Sequence, residues 1–146
     1  MNITLEQARE IVAAGQKAAV ALGKPMTIVV CDTGGFIVAC DRMDGARPLT
    51  PQIAHAKAYT GAIMQRPGTM LKGWAEGQPG FWSAVSQMGQ QPIVATHGAI
   101  TIKKDGDIIG GLGASGGTGE EDEALCIEVL SQLGYDTNFA EWNKVR

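Results

Sequence analysis

The chain has no excess of positive charge, few aromatic residues and no long apolar run. Its 146 residues include 12 Lys and Arg against 15 Asp and Glu, a net charge of -3, and only Lys103 and Lys104 adjoin. Nucleic acids and anionic membranes are bound by clusters of Lys and Arg, so the sequence predicts neither partner. A membrane-spanning helix needs about 20 apolar residues, and no stretch approaches that length.

Histidine and cysteine are also scarce, with two and three copies respectively. The first six residues lack the basic start and apolar core of a secretory signal, so we expect a cytoplasmic protein. Cys31, Cys40 and Cys126 are odd in number and lie in apolar segments, which predicts buried, reduced thiols. Cys31 and Cys40 could face each other across a hairpin, which leaves a redox role open.

The composition is that of one globular domain over residues 1–146, since 45% of the residues are apolar and 18% are charged. A capping box between Thr4 and Gln7 begins a predicted helix that ends at Gly23. Residues 26–31 and 36–40 flank a glycine-containing turn and predict an antiparallel hairpin.

The second half of the chain continues the alternation of helices and hairpins. It predicts a helix over 50–65, an irregular segment to 89 with one or two short helices, strands over 99–103 and 107–112, a flexible loop over 113–119 and a last helix ending at 134. This order cannot make parallel units throughout, so we expect the α/β (α+β) class, an antiparallel sheet flanked by helices. Phe139 and Trp142 predict that the tail docks on the domain or on a neighbour.

Several segments match, in order, the pattern of a known family. They are the Asp-Thr-Gly-Gly turn at 32–35, RMDGA at 42–46, IAHAKA at 53–58, and DG at 105–106 followed by IGGLGASG at 109–116 with Asp122. In these segments the chain resembles the GlcG/HbpS family. The resemblance implies a profilin-like antiparallel sheet of about five strands, a homo-oligomer, and haem or a related tetrapyrrole as ligand. Several members bind haem, as does the related C-terminal domain of PduO-type cobalamin adenosyltransferases.

His97 is the first candidate for the functional site. It precedes a predicted strand, and it stands beside Gly98 where the family commonly has two glycines. An imidazole can be an axial ligand of haem iron, and its pKa near neutrality also suits proton transfer. A hydrogen-bonded structural or surface histidine is the alternative. For His55 we favour an interfacial or surface position.

Other residues could contact a ligand around His97. Lys57 and Arg42 could pair with ligand carboxylates, such as haem propionates, with a solvated lysine and a structural salt bridge as the alternatives. Gly113, Ser115 and Gly116 could let backbone N–H groups approach a ligand. The run GLGASG spells a dinucleotide motif, but it follows a hairpin strand and precedes an acidic helix start, so we reject a nucleotide site.

Three function classes remain open from the sequence. The first is a small-molecule binding protein for haem or a related tetrapyrrole, acting in storage, sensing or delivery. The second is a cofactor-independent isomerase, lyase or hydrolase that acts on a small organic acid or aromatic metabolite through His97. The third is a structural role in an oligomer. A metal site at Glu120 and Glu123, which are three residues apart on one helix, is a weaker alternative.

Overall fold

Five helices and four strands make up residues 1–140, the part of the chain that the structure, a computed structural model, describes. In chain order they are α1 (Leu5–Leu22), β1 (Thr27–Cys31), β2 (Ile37–Arg42), α2 (Thr50–Ile63), α3 (Gly68–Gly77), α4 (Pro79–Val85), β3 (Ala99–Lys104), β4 (Asp107–Ser115) and α5 (Gly119–Gln132). Both predicted hairpins and the short helices of the middle segment are confirmed. Trp142 lies outside the described residues.

The strands form one antiparallel sheet in the order β2-β1-β4-β3. β1 and β4 are neighbours at its centre, so the two hairpins join along their inner strands. The predicted fold class is confirmed, although the described residues supply four strands where about five were expected.

Helices cover both faces of this sheet, and alternate residues of β1 show it. Ile28 and Val30 belong to the larger core cluster, which includes residues of α1 and α5. Val29 and Cys31 instead pack with alanines of α2. Successive side chains of a strand point to opposite faces, so a strand covered on both sides is buried throughout, as β1 is.

Glycines let α2 lie directly on the sheet. A Cβ atom added to Gly111 would lie 2.1 Å from the carbonyl oxygen of Ala58, and one added to Gly113 would lie 2.1 Å from that of Ala54. The prediction of a flexible loop from Gly113 was therefore wrong, because β4 continues to Ser115. These glycines serve close contact between two backbones rather than chain flexibility.

The cysteines divide into two classes. Cys31 and Cys126 are buried, and burial is the main cause that raises the pKa of each thiol to about 12. Cys40 is exposed on the edge strand β2, so the prediction of burial was wrong for this residue. Cys40 lies opposite Val29 and Cys31 lies opposite Ile37, so the two thiols are diagonal rather than facing neighbours.

None of the helices within residues 1–140 is long and apolar enough to cross a membrane.

Candidate functional site

Most of the predicted site residues lie at one end of the sheet, where the strands meet the start of α5. We call this end of the sheet the α5 edge. Here β2 and β4 end, β1 and β3 begin, and α5 starts. Thr27 lies opposite both Arg42 and Ser115, so these three residues form one row across three strands. Gly116 follows this row directly, and His97 lies two residues before β3.

Within residues 1–140, His97 makes one polar contact at this edge. Its Nδ1 lies 3.1 Å from Oε2 of Glu123 on α5, and its side chain is 34% exposed. A carboxylate accepts hydrogen bonds, so Nδ1 is the donor, and in the neutral imidazole the lone pair of Nε2 is left for a ligand. Gly119 packs against the ring, since an added Cβ would lie 3.4 Å from Cδ2 of His97. The arrangement fixes both the tautomer and the orientation of the imidazole.

Lys57 is engaged in a buried ion pair behind His97. Its Nζ lies 3.0 Å from Oδ2 of Asp122 and donates to the carbonyl of Ala114 at 2.9 Å. The two side chains are only 7% and 4% exposed. Oδ1 of Asp122 accepts from the backbone N–H of Gly117 at 2.9 Å. The pair therefore ties α2, the end of β4 and the start of α5 together.

This ion pair leaves Lys57 little freedom to contact a ligand. The contact of Lys57 with a ligand carboxylate stays a prediction. The sequence does carry a signal for the burial of Lys57. It stands between Ala56 and Ala58 in a helix whose neighbouring positions are almost all apolar, and a buried lysine needs an acidic partner. The identity of that partner, 65 residues away, required the fold.

A polar pocket of about 360 Å³ opens on the other side of the start of α5. Its lining residues are Lys24, Pro25, Gly45, Arg47, Gly116, Gly117 and Thr118. Lys24 forms an ion pair with Glu121, and this hydrogen bond is the main cause that lowers the pKa of the Glu121 carboxyl. Arg47 is exposed. The sequence alone does not single out either cation, because both lie in loops far apart along the chain.

Arg42 and Gly113 take other positions. Nη1 of the exposed Arg42 donates to the carbonyl of Ala46 at 3.2 Å. Its side chain lines a separate groove of about 620 Å³ between α1 and the end of β2, together with Lys17 and Asp41. Gly113 is buried beneath α2. The structure thus brings His97, Lys57, Ser115 and Gly116 to one end of the sheet, whereas the Arg42 side chain lines a separate groove and Gly113 lies beneath α2.

Glu120 and Glu123 do not belong to a larger ligand set. Within residues 1–140, no group of three or more His, Cys, Asp or Glu side chains could hold a metal ion. Oε2 of Glu123 is bonded to His97, while Oε1 is buried with no hydrogen-bond partner among the described residues.

Comparison with known proteins places this chain in a family. A family model described as haem degrading protein HbpS-like matches residues 3–131. The chain is 36% identical over 130 residues to an uncharacterized 15.0 kDa protein of the dhaT-dhaS intergenic region of Citrobacter freundii, covering 88% of this chain and 90% of the relative. It is 34% identical over 118 residues to protein GlcG of Escherichia coli K12, covering 77% of this chain and 81% of GlcG.

The fold is shared with solved structures. The PduOC complex with haem superposes with a TM-score of 0.83 at 24% identity, covering 94% of this chain and 99% of PduOC. The sheet, the helical layers and nearly the whole length of the domain therefore correspond. With the family model matching most of the chain, this protein belongs to the HbpS-like family.

Proposed function

We propose that this protein binds haem or a related tetrapyrrole and that Nε2 of His97 is the iron ligand. The observation that carries the proposal is the hydrogen bond from Nδ1 of His97 to Glu123. Histidines that ligate metals almost always donate their other N–H to a carboxylate, a carbonyl or water, which raises the basicity of the ligating nitrogen. The haem named in the family description and in the PduOC complex supports the same class of ligand.

The carboxylates of such a ligand would lie in the polar pocket beside Gly116. His97 precedes β3 and Pro25 precedes β1, and these strands are two apart in the sheet. Strands are spaced about 4.8 Å apart, so the two positions lie roughly 10 Å apart along the α5 edge. A pocket of about 360 Å³ is small for a ligand site, so it would take only the carboxylate edge of the macrocycle, between Lys24 and Arg47.

Hemin titration of the purified protein tests this proposal. We expect one hemin per chain, with a Soret band that shifts on binding. His97→Ala should weaken binding by about tenfold or more and change the position of the band, because it removes the iron ligand. His55→Ala, which changes the other histidine, is the matched control and should bind like the unsubstituted protein. An unchanged titration for His97→Ala would overturn the assignment.

The pair of His97 and Glu123 also favours a second function, cofactor-independent proton transfer. A carboxylate at Nδ1 stabilises the imidazolium that forms when Nε2 takes a proton, as a general base requires. The substrate would be a small organic acid or aromatic metabolite that binds within hydrogen-bonding distance of Nε2 of His97. Thermal stabilisation by organic acids that is lost in His97→Ala, without stoichiometric binding of hemin, would favour this isomerase, lyase or hydrolase function.

A further inference from the structure

A second pocket, which we call the aromatic pocket, lies between the turn that joins β1 to β2 and the outer side of α2. It has a volume of about 310 Å³. Its lining residues are Gly34, Gly35, Phe36, Ile37, His55, Tyr59, Gln90 and Gln91. None of them takes part in the site at the α5 edge.

The wall formed by the turn is held in place before any ligand arrives. Oδ1 of Asp32 accepts from the backbone N–H groups of Gly34 at 2.9 Å and of Phe36 at 3.1 Å, and the Asp32 carbonyl accepts from Gly35 at 3.0 Å. Gly35 has a φ of +82°, and an added Cβ would lie 2.4 Å from the Tyr59 ring. A preformed wall lowers the entropy that binding costs.

Apolar surface is left open to solvent at this pocket. Phe36 is 70% exposed and Ile37 is 49% exposed, although both follow a well-ordered turn. The Tyr59 ring beneath them is buried, and its hydroxyl accepts from the backbone N–H of Gln90 at 2.9 Å. Two aromatic rings therefore border one small space, and a flat apolar molecule there would cover the exposed part of Phe36.

The polar groups of the pocket narrow the class of ligand. None of the lining side chains is a carboxylate, an ammonium or a guanidinium, so a charged ligand would find no permanently charged partner. Nε2 of His55 is shielded from solvent and has no hydrogen-bond partner within residues 1–140. A buried polar atom without a partner destabilises the folded state, so a ligand that forms a hydrogen bond with it is favoured. The χ2 torsion of histidine is soft, and a rotation that brought Nε2 into the pocket would let it form a hydrogen bond with a ligand hydroxyl.

From these observations we propose that the aromatic pocket binds a small, neutral aromatic molecule that carries a hydroxyl group, with its ring against Phe36 and its hydroxyl at His55. The volume is at the lower end for ligand sites, so it fits one or two rings and not a tetrapyrrole. The site is thus independent of haem binding at His97.

Titration with phenol, followed by two-dimensional NMR of the backbone amides, tests the proposal. The resonances of residues 34–37, 55 and 90–91 should shift, and benzene and cyclohexanol should bind more weakly than phenol. Phe36→Ala should weaken phenol binding by about tenfold. Phe81→Ala, which changes an exposed aromatic residue outside the pocket, is the matched control. His55→Phe keeps a ring of similar shape and should remove the preference for phenol over benzene.

Two results would overturn the proposal. One is a set of chemical-shift changes at residues outside the aromatic pocket, and the other is an unchanged affinity of Phe36→Ala for phenol. Exclusion of phenol as the protein concentration rises would also overturn it, by showing that a second copy of the chain covers this surface. His97→Ala should leave phenol binding intact, so failure of the haem proposal and failure of this one are distinguishable.

Discussion

At the scale of single residues, the buried pair of Lys57 and Asp122 should matter most for stability. Removing one partner leaves an uncompensated buried charge, so we expect Lys57→Met to lower the free energy of unfolding by about 3 to 5 kcal/mol. Urea denaturation measures this loss. Lys72→Met, in an exposed pair with Glu76 at 4.0 Å, is the control and should change little. The prediction fails if the two variants unfold at the same urea concentration.

The three cysteines should differ sharply in reactivity. Cys40 is exposed, whereas Cys31 and Cys126 are buried with thiol pKa values raised by burial to about 12. Only a thiolate reacts readily with iodoacetamide. Mass spectrometry should therefore find a single alkylated thiol in the native protein and all three in urea. Rapid alkylation of Cys126 in native buffer would contradict the described packing of α5.

The sequence identifies His97 as a candidate site residue, but it does not identify the residues that orient its imidazole or the cations of the neighbouring pocket. A histidine beside Gly98 is visible in a single sequence. Its partner Glu123 is 26 residues away, and the helix start that carries it is explained equally well by the helix dipole. Lys24 and Arg47 are missed for a similar reason, because only the fold brings two loops to one pocket.

At the scale of elements, the contact between α2 and β4 depends on the absence of side chains. Gly111→Ala would place a Cβ 2.1 Å from the Ala58 carbonyl oxygen, so the helix must move away from the sheet. We expect a loss of about 1 to 3 kcal/mol or more, measured by thermal or urea unfolding. Gly73→Ala in α3, where an added Cβ meets no atom within 4 Å, should instead stabilise by about 0.5 to 1 kcal/mol. Equal effects would show that the contact tolerates a methyl group.

Most elements could be predicted because their signals are local. The capping box at Thr4 and the turn before Phe36 place α1 and the first hairpin correctly. The end of β4 could not be predicted, because Gly113 signals a loop when only its neighbours in sequence are considered. Its actual cause, a helix backbone lying on the strand, is a long-range contact.

At the scale of the whole molecule, stability should fall in alkaline solution. In the unfolded chain the thiols of Cys31 and Cys126 lose their protons near pH 9.0, whereas in the folded protein they keep them to about pH 12. The stabilisation is complete below pH 9 and is lost progressively as the pH rises toward 12. Urea unfolding between pH 8 and pH 11 measures the slope. A double variant with Cys31→Ala and Cys126→Ala should show a shallower slope, and an identical slope would contradict the prediction.

Assembly and location also belong to this scale. The homo-oligomer and the cytoplasmic location remain predictions. Sedimentation equilibrium tests the first, where we expect a mass that is a multiple of 15.3 kDa.

The glycine contact beneath α2 bears on how the two proposed sites would act together. α2 carries Lys57, which anchors the α5 edge, and also His55 and Tyr59 of the aromatic pocket. Since this helix contacts the sheet backbone directly at Gly111 and Gly113 and packs small alanines against Val29 and Cys31, we expect it to keep one arrangement whichever site is occupied. Binding at one site should therefore not change the affinity of the other. The fraction of protein with both sites occupied should equal the product of the two separate occupancies.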